Sequence, residues 1–189
     1  MKRLNSIFAR ALMAMGFLAL TACPDTKTHP AKSAALRADL PIAGDYWKAG
    51  ADGIREDEGI EKTGDPEFPY FWVIYDNDKQ PPQKSKIPFQ VFSYDNTLVA
   101  FVRYAEESDE ESGYLVVKLE ISKTQVVARS LRSNFIKENP VIAPKGADPS
   151  ALDPLKKVSA ENLESFFKLY ASKEELWETE PYLLNRVAN

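Results

Sequence analysis

A single cysteine is the residue of this sequence whose position points most clearly to a chemical modification. Cys23 is the only cysteine among 189 residues, and it comes soon after the uncharged apolar run Ala11–Leu20, with three basic residues upstream. A thiol delivered to a membrane surface can act as a nucleophile. The apolar run is too short to cross a bilayer, which takes about 20 residues. Residues 1–22 are therefore predicted to be a signal peptide, removed from the mature protein.

The four residues Leu20-Thr21-Ala22-Cys23 resemble the lipobox of bacterial lipoproteins, in which a branched apolar residue and two small residues precede the cysteine. The resemblance covers residues 1–23. It implies transfer of a diacylglyceryl group to the Cys23 sulfur, signal-peptidase cleavage after Ala22, and acylation of the new amino terminus. One acyl chain holds a protein only marginally, whereas two or more make a stable anchor. The resemblance thus predicts a lipoprotein of the cell envelope, anchored on the periplasmic side of the inner or the outer membrane.

The rest of the chain lacks the residues that several enzyme classes need. His29 is the only histidine, and like Cys23 it lies at the start of the mature chain. This excludes Ser-His-Asp and Cys-His catalysis in the folded part, and also zinc or copper sites built from His and Cys. Carboxylate-pair chemistry stays open, but no pair stands out among the 28 acidic residues. We therefore expect no catalytic residues, no metal, no cofactor and no enzymatic activity.

The charge balance argues against nucleic-acid binding. The signal peptide contains three of the 24 Lys and Arg residues and none of the 28 acidic ones, so the mature chain has a net charge of −7. A nucleic-acid-binding protein is expected to carry a basic face. The acidic run Glu106–Glu111 offers oxygen ligands but lacks the spacing of a calcium-binding loop. It is interpreted as a solvated hairpin tip, with contact to a basic partner as the alternative.

From Cys23 onward, the sequence predicts a flexible tether followed by one folded domain. Residues 23–39 are small and polar, include prolines, and are typical of a flexible linker. Residues 40–189 are predicted to form a single β-rich domain. Its acidic, glycine-rich stretch after Ala49 is interpreted as a loop or ragged hairpin.

Alternating apolar residues predict most of the strands. In Tyr114–Ile121, the side chains of Leu115, Val117, Leu119 and Ile121 face a core and those of Val116, Lys118 and Glu120 face away. The other predicted strands are Gly44–Lys48, Pro69–Tyr75, Phe89–Tyr94, Leu98–Tyr104 and Val126–Phe135. Short strands with regular turn signals favour an antiparallel sandwich or barrel.

The apolar period changes near the C-terminus. Leu163, Phe166, Phe167 and Tyr170 follow the i, i+3, i+4, i+7 spacing of a helix, and a capping box from Ser172 predicts a second short helix. Helices are therefore expected near residues 160–178. Their stripe is predicted to pack on the chain's own sheet, with docking of another protein as the alternative. The fold class is mainly β: an antiparallel meander of six to eight strands forming a sandwich or a lipocalin-like barrel, with the C-terminal helices packed on it.

The segment Gly44-Asp45-Tyr46-Trp47 is similar to the Gly-x-Trp start of lipocalins, although a tyrosine stands where those proteins have the tryptophan. The resemblance implies that an apolar small molecule or lipid binds inside a barrel. Its candidate lining is aromatic and comprises Tyr46, Trp47, Tyr70, Trp72, Phe89 and Phe101. The alternative is that these aromatics only fill the core, as is usual in a small barrel.

The sequence is compatible with two functions that belong to different classes. The first is a non-enzymatic structural or interaction module that contacts another envelope protein; it predicts a filled core and an exposed apolar or acidic patch. The second is a carrier or binder of an apolar small molecule, which predicts an enclosed cavity. The sequence shows no cavity and requires none, so it favours the interaction module.

Overall fold

The computed structural model describes residues 25–26, 36–50, 53–77, 83–104, 113–132, 135 and 160–188. The signal peptide, Cys23 and the acidic run Glu106–Glu111 lie outside these residues.

The strands form a closed antiparallel barrel. They are β1 (Asp25–Thr26), β2 (Gly44–Ala49), β3 (Arg55–Lys62), β4 (Tyr70–Asp76), β5 (Gln83–Tyr94), β6 (Thr97–Tyr104), β7 (Gly113–Ile121), β8 (Gln125–Ser130) and β9 (Tyr182–Arg186). Strands β2 to β8 pair in chain order, and β9 inserts between β8 and β2 to close a ring of eight. Strand β1 pairs with the first part of β7, beyond the reach of β8. The predicted mainly β antiparallel fold is confirmed, as a lipocalin-like barrel.

The barrel interior is built by residues that alternate along each strand. Strand β7 follows the predicted pattern, with Val117 and Leu119 in the interior cluster and Val116 on the outer face. The same alternation places Val91 of β5 and Ala100 of β6 at the barrel's centre, where both are almost fully buried. Period-2 alternation thus separates one apolar core from a second apolar face on β5, β6 and β7.

One end of the barrel, here called the sealed end, is closed by the chain that enters β2. Leu40 and Ile42 are buried there, and the Tyr46 hydroxyl donates a hydrogen bond of 2.6 Å to the Ile42 carbonyl. The Leu40 amide donates to the Tyr70 hydroxyl at 2.9 Å. Arg186, at the end of β9, lies over the Tyr46 ring and donates to its hydroxyl at 2.8 Å. The first and last parts of the domain therefore close this end together.

Helix α1 (Ala160–Tyr170) packs on the outer wall of the barrel. Its residues Leu163, Phe166 and Phe167 are buried, as the spacing predicts, and Tyr170 is partly buried. Phe167 meets the ring of Phe101 edge-on, with centroids 5.6 Å apart. The second predicted helix is a single 3-10 turn, Glu174–Leu176. The helix stripe thus covers the domain's own sheet.

Three strands differ from the sequence-based expectation. Strand β1 lies within the segment 23–39 that is predicted to be a flexible linker. The acidic stretch interpreted as a loop forms strand β3, because its charged side chains alternate with Glu58 and Ile60, which are buried. Strand β9 was not predicted. Its adjacent Leu183 and Leu184 hide the alternation, and both of its partners lie far away in sequence.

Candidate functional site at the polar end

Four strands direct polar side chains into the end of the barrel opposite the sealed end. We call this the polar end, and we call the five residues clustered there the polar network: Lys48, Glu56, Glu58, Trp72 and Tyr182. They come from β2, β3, β4 and β9, and the interior-facing positions of β2 and β3 change from apolar to charged toward this end. Buried charge is costly unless it is paired and hydrogen-bonded, so this end differs in kind from the rest of the interior.

Glu58 lies at the centre of the polar network, with 2% of its surface exposed. The Trp72 indole N–H donates to its Oε2, and the Tyr182 hydroxyl donates to its Oε1. The Lys48 ammonium lies 3.3 Å from the same Oε1. Three donors from three other strands therefore hold one carboxylate.

Lys48 links the buried carboxylate to a more exposed one. Its Nζ lies 2.9 Å from Glu56 Oε2 and 5.0 Å from the centre of the Tyr182 ring. The Lys48 side chain is buried, whereas that of Glu56 is 40% exposed. One cation between two carboxylates leaves a net negative charge, and its accessible part lies at Glu56.

Burial changes the acidity of two members of the polar network. Removal from water raises the pKa of Glu58, although the hydrogen bonds and the Lys48 charge act in the opposite direction. Burial and the nearby Glu58 charge raise the pKa of Tyr182 well above its ordinary value, so it remains a hydrogen-bond donor. Strongly perturbed groups in a cleft are candidates for functional sites.

The arrangement is suited to binding an amphipathic molecule. Trp72 and Tyr182 meet edge-on, with ring centroids 5.4 Å apart, and offer apolar surface directly beside the charged groups. Within the described residues, no group of three or more His, Cys, Asp or Glu side chains is placed to hold a metal ion. The groups that the polar network offers to a ligand are aromatic rings, the Lys48 ammonium, the carboxylates of Glu56 and Glu58, and the Tyr182 hydroxyl.

The structure brings together four of the six predicted lining residues. Tyr46, Tyr70, Trp72 and Phe89 face the interior, where the rings of Tyr70 and Phe89 stack with centroids 5.3 Å apart. Only Trp72 belongs to the polar network; Tyr46 and Tyr70 are used to close the sealed end.

The other two residues do not line the interior. Trp47 lies outside the barrel beneath the guanidinium of Arg55, because it neighbours the inward Tyr46 on β2. Phe101 faces outward beneath helix α1, because its neighbour Ala100 takes the interior position. Both errors have one cause, which is that aromatic character alone does not reveal on which face of a strand a side chain lies.

Sequence reasoning missed the charged members of the polar network. In β2, Lys48 follows Tyr46 by two positions and therefore lies on the same face of the strand. This alternation could have predicted that Lys48 faces the interior. No comparable signal marked Tyr182, because the strand that carries it was not recognised.

A shallow groove of about 300 Å³ lies beside strands β2, β3 and β4. It is lined by Asp45, Tyr46, Arg55, Asp57, Glu58, Tyr75, Asn77 and Val187. Arg55 and Asp57 pair with each other across 2.8 Å, so their charges are largely neutralised. This groove is open to solvent, and Glu58 is the one member of the polar network that lines it.

No helix among the described residues is long and apolar enough to span a membrane. Comparison of the chain with protein-family models, with curated proteins and with solved structures finds no match.

Proposed function

We propose that this chain is a lipid-anchored, non-enzymatic protein of the bacterial cell envelope whose barrel binds an apolar or amphipathic small molecule at the polar end. One observation carries the binding part of the proposal: the barrel is sealed at one end and holds a buried, hydrogen-bonded charge cluster at the other. The lipobox residues Leu20 to Cys23 support the anchor.

The contrast between the two ends supports a binding role. A barrel that needed only stability gains little from burying Lys48 and Glu58, because apolar residues of similar volume usually serve as well or better. Here both are nearly inaccessible, with 4% and 2% of their surface exposed. Their place beside Trp72 suits a ligand with an apolar body and a polar group.

The packing of the middle of the barrel supports a binding position near the polar end. Val91 and Ala100 in the central layer have at most 1% of their surface exposed, so this layer is well filled. A molecule bound here would rest on this layer and contact Trp72 and Tyr182 above it.

The filled central layer also favours a second candidate, the protein-interaction module. A barrel without a deep cavity can serve as a rigid support for a binding surface, and the partner would then be another envelope protein. The two candidates differ in what accompanies the protein when it is purified.

Native mass spectrometry of the acylated protein, gently extracted from cell envelopes in mild detergent, separates these candidates. Binding predicts an added mass of a few hundred daltons that is lost or reduced in Trp72→Ala. Trp47→Ala, which changes a tryptophan outside the barrel, is the matched control and should retain the added mass. A co-purifying protein chain supports the interaction module, and the bare acylated mass contradicts the binding proposal.

The anchor is tested separately with Cys23→Ser. Without the thiol, diacylglyceryl transfer cannot occur, so the variant should leave the membrane fraction or remain unprocessed. Thr26→Ser, which leaves the lipobox intact, is the control and should stay in the membrane. A Cys23→Ser protein that is still cleaved and lipid-labelled would contradict the anchor.

A further inference from the structure

The inner face of the barrel carries more acidic than basic side chains at the polar end. The carboxylates of Glu56 and Glu58 share the ammonium of Lys48. Asp76 follows Ile74 by two positions on β4 and therefore lies on the same, inward face of the strand. Among the described residues of this end, three inward-facing carboxylates thus accompany one inward-facing cation.

The neighbouring cations do not offset this negative charge, because they lie on the outer face of the barrel. Arg55 pairs with Asp57 across 2.8 Å and lies over the Trp47 ring. The Lys84 ammonium lies 5.0 Å from the centre of the Tyr75 ring, which the alternation of β4 places on the outer face. A positively charged ligand would therefore be attracted to the polar end, whereas an anionic ligand would be repelled.

The hydrogen-bonding groups of the polar network point to the same kind of ligand. The single N–H of the Trp72 indole and the single O–H of Tyr182 both donate to Glu58. The Lys48 ammonium is directed toward two carboxylates. Its contact with Glu56 uses only Oε2, and 40% of the Glu56 side chain is exposed. A carboxylate can accept about four hydrogen bonds, so the accessible capacity is that of an acceptor and suits a ligand that donates.

Apolar surface lies beside these carboxylates. Ile74 comes two residues before the end of β4, and Leu115 comes two residues after the start of β7, so both lie toward the polar end. Both are only partly buried, and they pack against the interior cluster, as does Tyr182. The polar end therefore offers an apolar surface and an acidic one to the same ligand.

We infer that the ligand of the polar end is a cationic amphiphile, an apolar body that carries a protonated amine, with its ammonium group at Glu56 and its body against Ile74 and Leu115. This inference deepens the proposed function and rests on its binding part. Lys48 shows how such a group is held, since its own ammonium lies between two carboxylates and 5.0 Å from the centre of the Tyr182 ring.

Three probes that share one apolar body test the charge of the ligand. They are naphthylmethylamine, naphthylmethanol and naphthylacetate, substituted at the same ring position, which are cationic, neutral and anionic at neutral pH. Each is equilibrated by dialysis with the full chain in an uncharged detergent, and the detergent alone is the blank. We expect the amine to be retained at least about tenfold more tightly than the naphthylacetate, because the sign of the interaction with Glu56 is reversed.

Glu56→Gln tests the position of the ammonium group. The variant preserves the size of the side chain and the pairing of Lys48 with Glu58, but it removes the accessible negative charge. It should lose most of the preference for the amine over the alcohol while retaining the alcohol as before. Asp57→Asn is the matched control, because Asp57 is the next residue of β3, is 50% exposed and pairs with Arg55. It should keep the full preference.

The outcomes separate this inference from the proposal on which it rests. Equal retention of the amine and the alcohol, or tighter retention of the naphthylacetate, would overturn the cationic ligand and leave binding of apolar molecules in place. Retention of none of the probes would contradict binding at the polar end itself. A preference for the amine that survives Glu56→Gln, or that is lost in Asp57→Asn, would overturn the role of Glu56.

Discussion

The Glu58 carboxylate accepts hydrogen bonds from two strands while it is almost wholly shielded from water. The Tyr182 hydroxyl is one of its donors, and this hydroxyl reaches it from a residue 124 positions away in the sequence. The bond therefore joins β3 to the strand that closes the barrel. The Tyr182 hydroxyl is therefore expected to stabilise the fold through this hydrogen bond, in addition to the contribution of its buried ring.

Tyr182→Phe should destabilise the fold by about 1.5–3 kcal/mol, because it removes a hydrogen bond to a charged, buried acceptor. Tyr94→Phe is the matched control, since the Tyr94 hydroxyl is buried and has no hydrogen-bond partner among the residues that the structure describes. Its removal should leave stability within about 1 kcal/mol of the original or raise it slightly. Urea unfolding of both variants measures the difference, and equal losses would contradict the importance of the Tyr182 bond.

Glu58→Gln should reveal the raised pKa of Glu58 through the pH dependence of stability. A carboxyl whose pKa is higher in the folded state binds its proton more tightly there, so the unfolding free energy rises as pH falls through that window. The window lies between the raised pKa and the ordinary value of 4.5. Lys48, Glu56, Trp72 and Tyr182 face the carboxyl and set the size of the effect.

The measurement is urea unfolding of the original and Glu58→Gln proteins at several pH values. As pH falls from neutral toward 4.5, the original protein should gain stability relative to Glu58→Gln, which cannot titrate at this position. Below that value the difference should become constant. A relative stability that falls over this range would contradict the direction of the pKa shift.

Helix α1 contributes a second core outside the barrel. Phe167 contacts Tyr94 in a stacked arrangement and Phe101 edge-on, both with ring centroids 5.6 Å apart. The outer wall of β5 and β6 is therefore apolar beneath the helix, and it would face water if the helix detached.

Phe167→Ala should cost about 3–5 kcal/mol, the usual range for removing a fully buried phenylalanine. Leu169→Ala is the control on the same helix, because 59% of the Leu169 surface is exposed. It should change the unfolding free energy by less than about 0.5 kcal/mol. Thermal and urea unfolding test the pair, and a small loss for Phe167→Ala would mean that the helix is only loosely attached.

Local sequence pattern was sufficient for some elements and insufficient for others. Strand β7 and helix α1 could be predicted because apolar residues recur with the period of the element that buries them. Strand β3 was hidden because acidic residues and glycine are poor strand formers, and only the pairing with β2 and β4 shows why Glu58 is inside. The polar network depends on strand register between distant segments, which no local pattern contains.

The barrel as a whole depends on its last strand. Strand β9 forms four residue pairs with β8 but only two with β2, namely Tyr46 with Arg186 and Trp47 with Asn185. Side chains hold the rest of the seam between β2 and β9: Arg186 contacts Tyr46 at the sealed end, and Lys48 lies over the Tyr182 ring at the polar end. A short strand thus connects both ends of the molecule.

Deletion of residues 182–189 should abolish the cooperative fold, rather than remove one strand from an otherwise intact barrel. The deletion leaves β2 and β8 as open edges, removes the Arg186 contact with Tyr46, and takes a donor from the buried Glu58 carboxylate. Open edges and an under-satisfied buried charge each favour aggregation or unfolding.

Deletion of residues 188–189 alone, which retains β9 and Val187, is the control and should preserve the sharp transition. Thermal unfolding followed by near-ultraviolet circular dichroism distinguishes the two chains. A cooperative transition in the longer deletion would show that seven strands suffice, and that β9 serves the polar end rather than the fold.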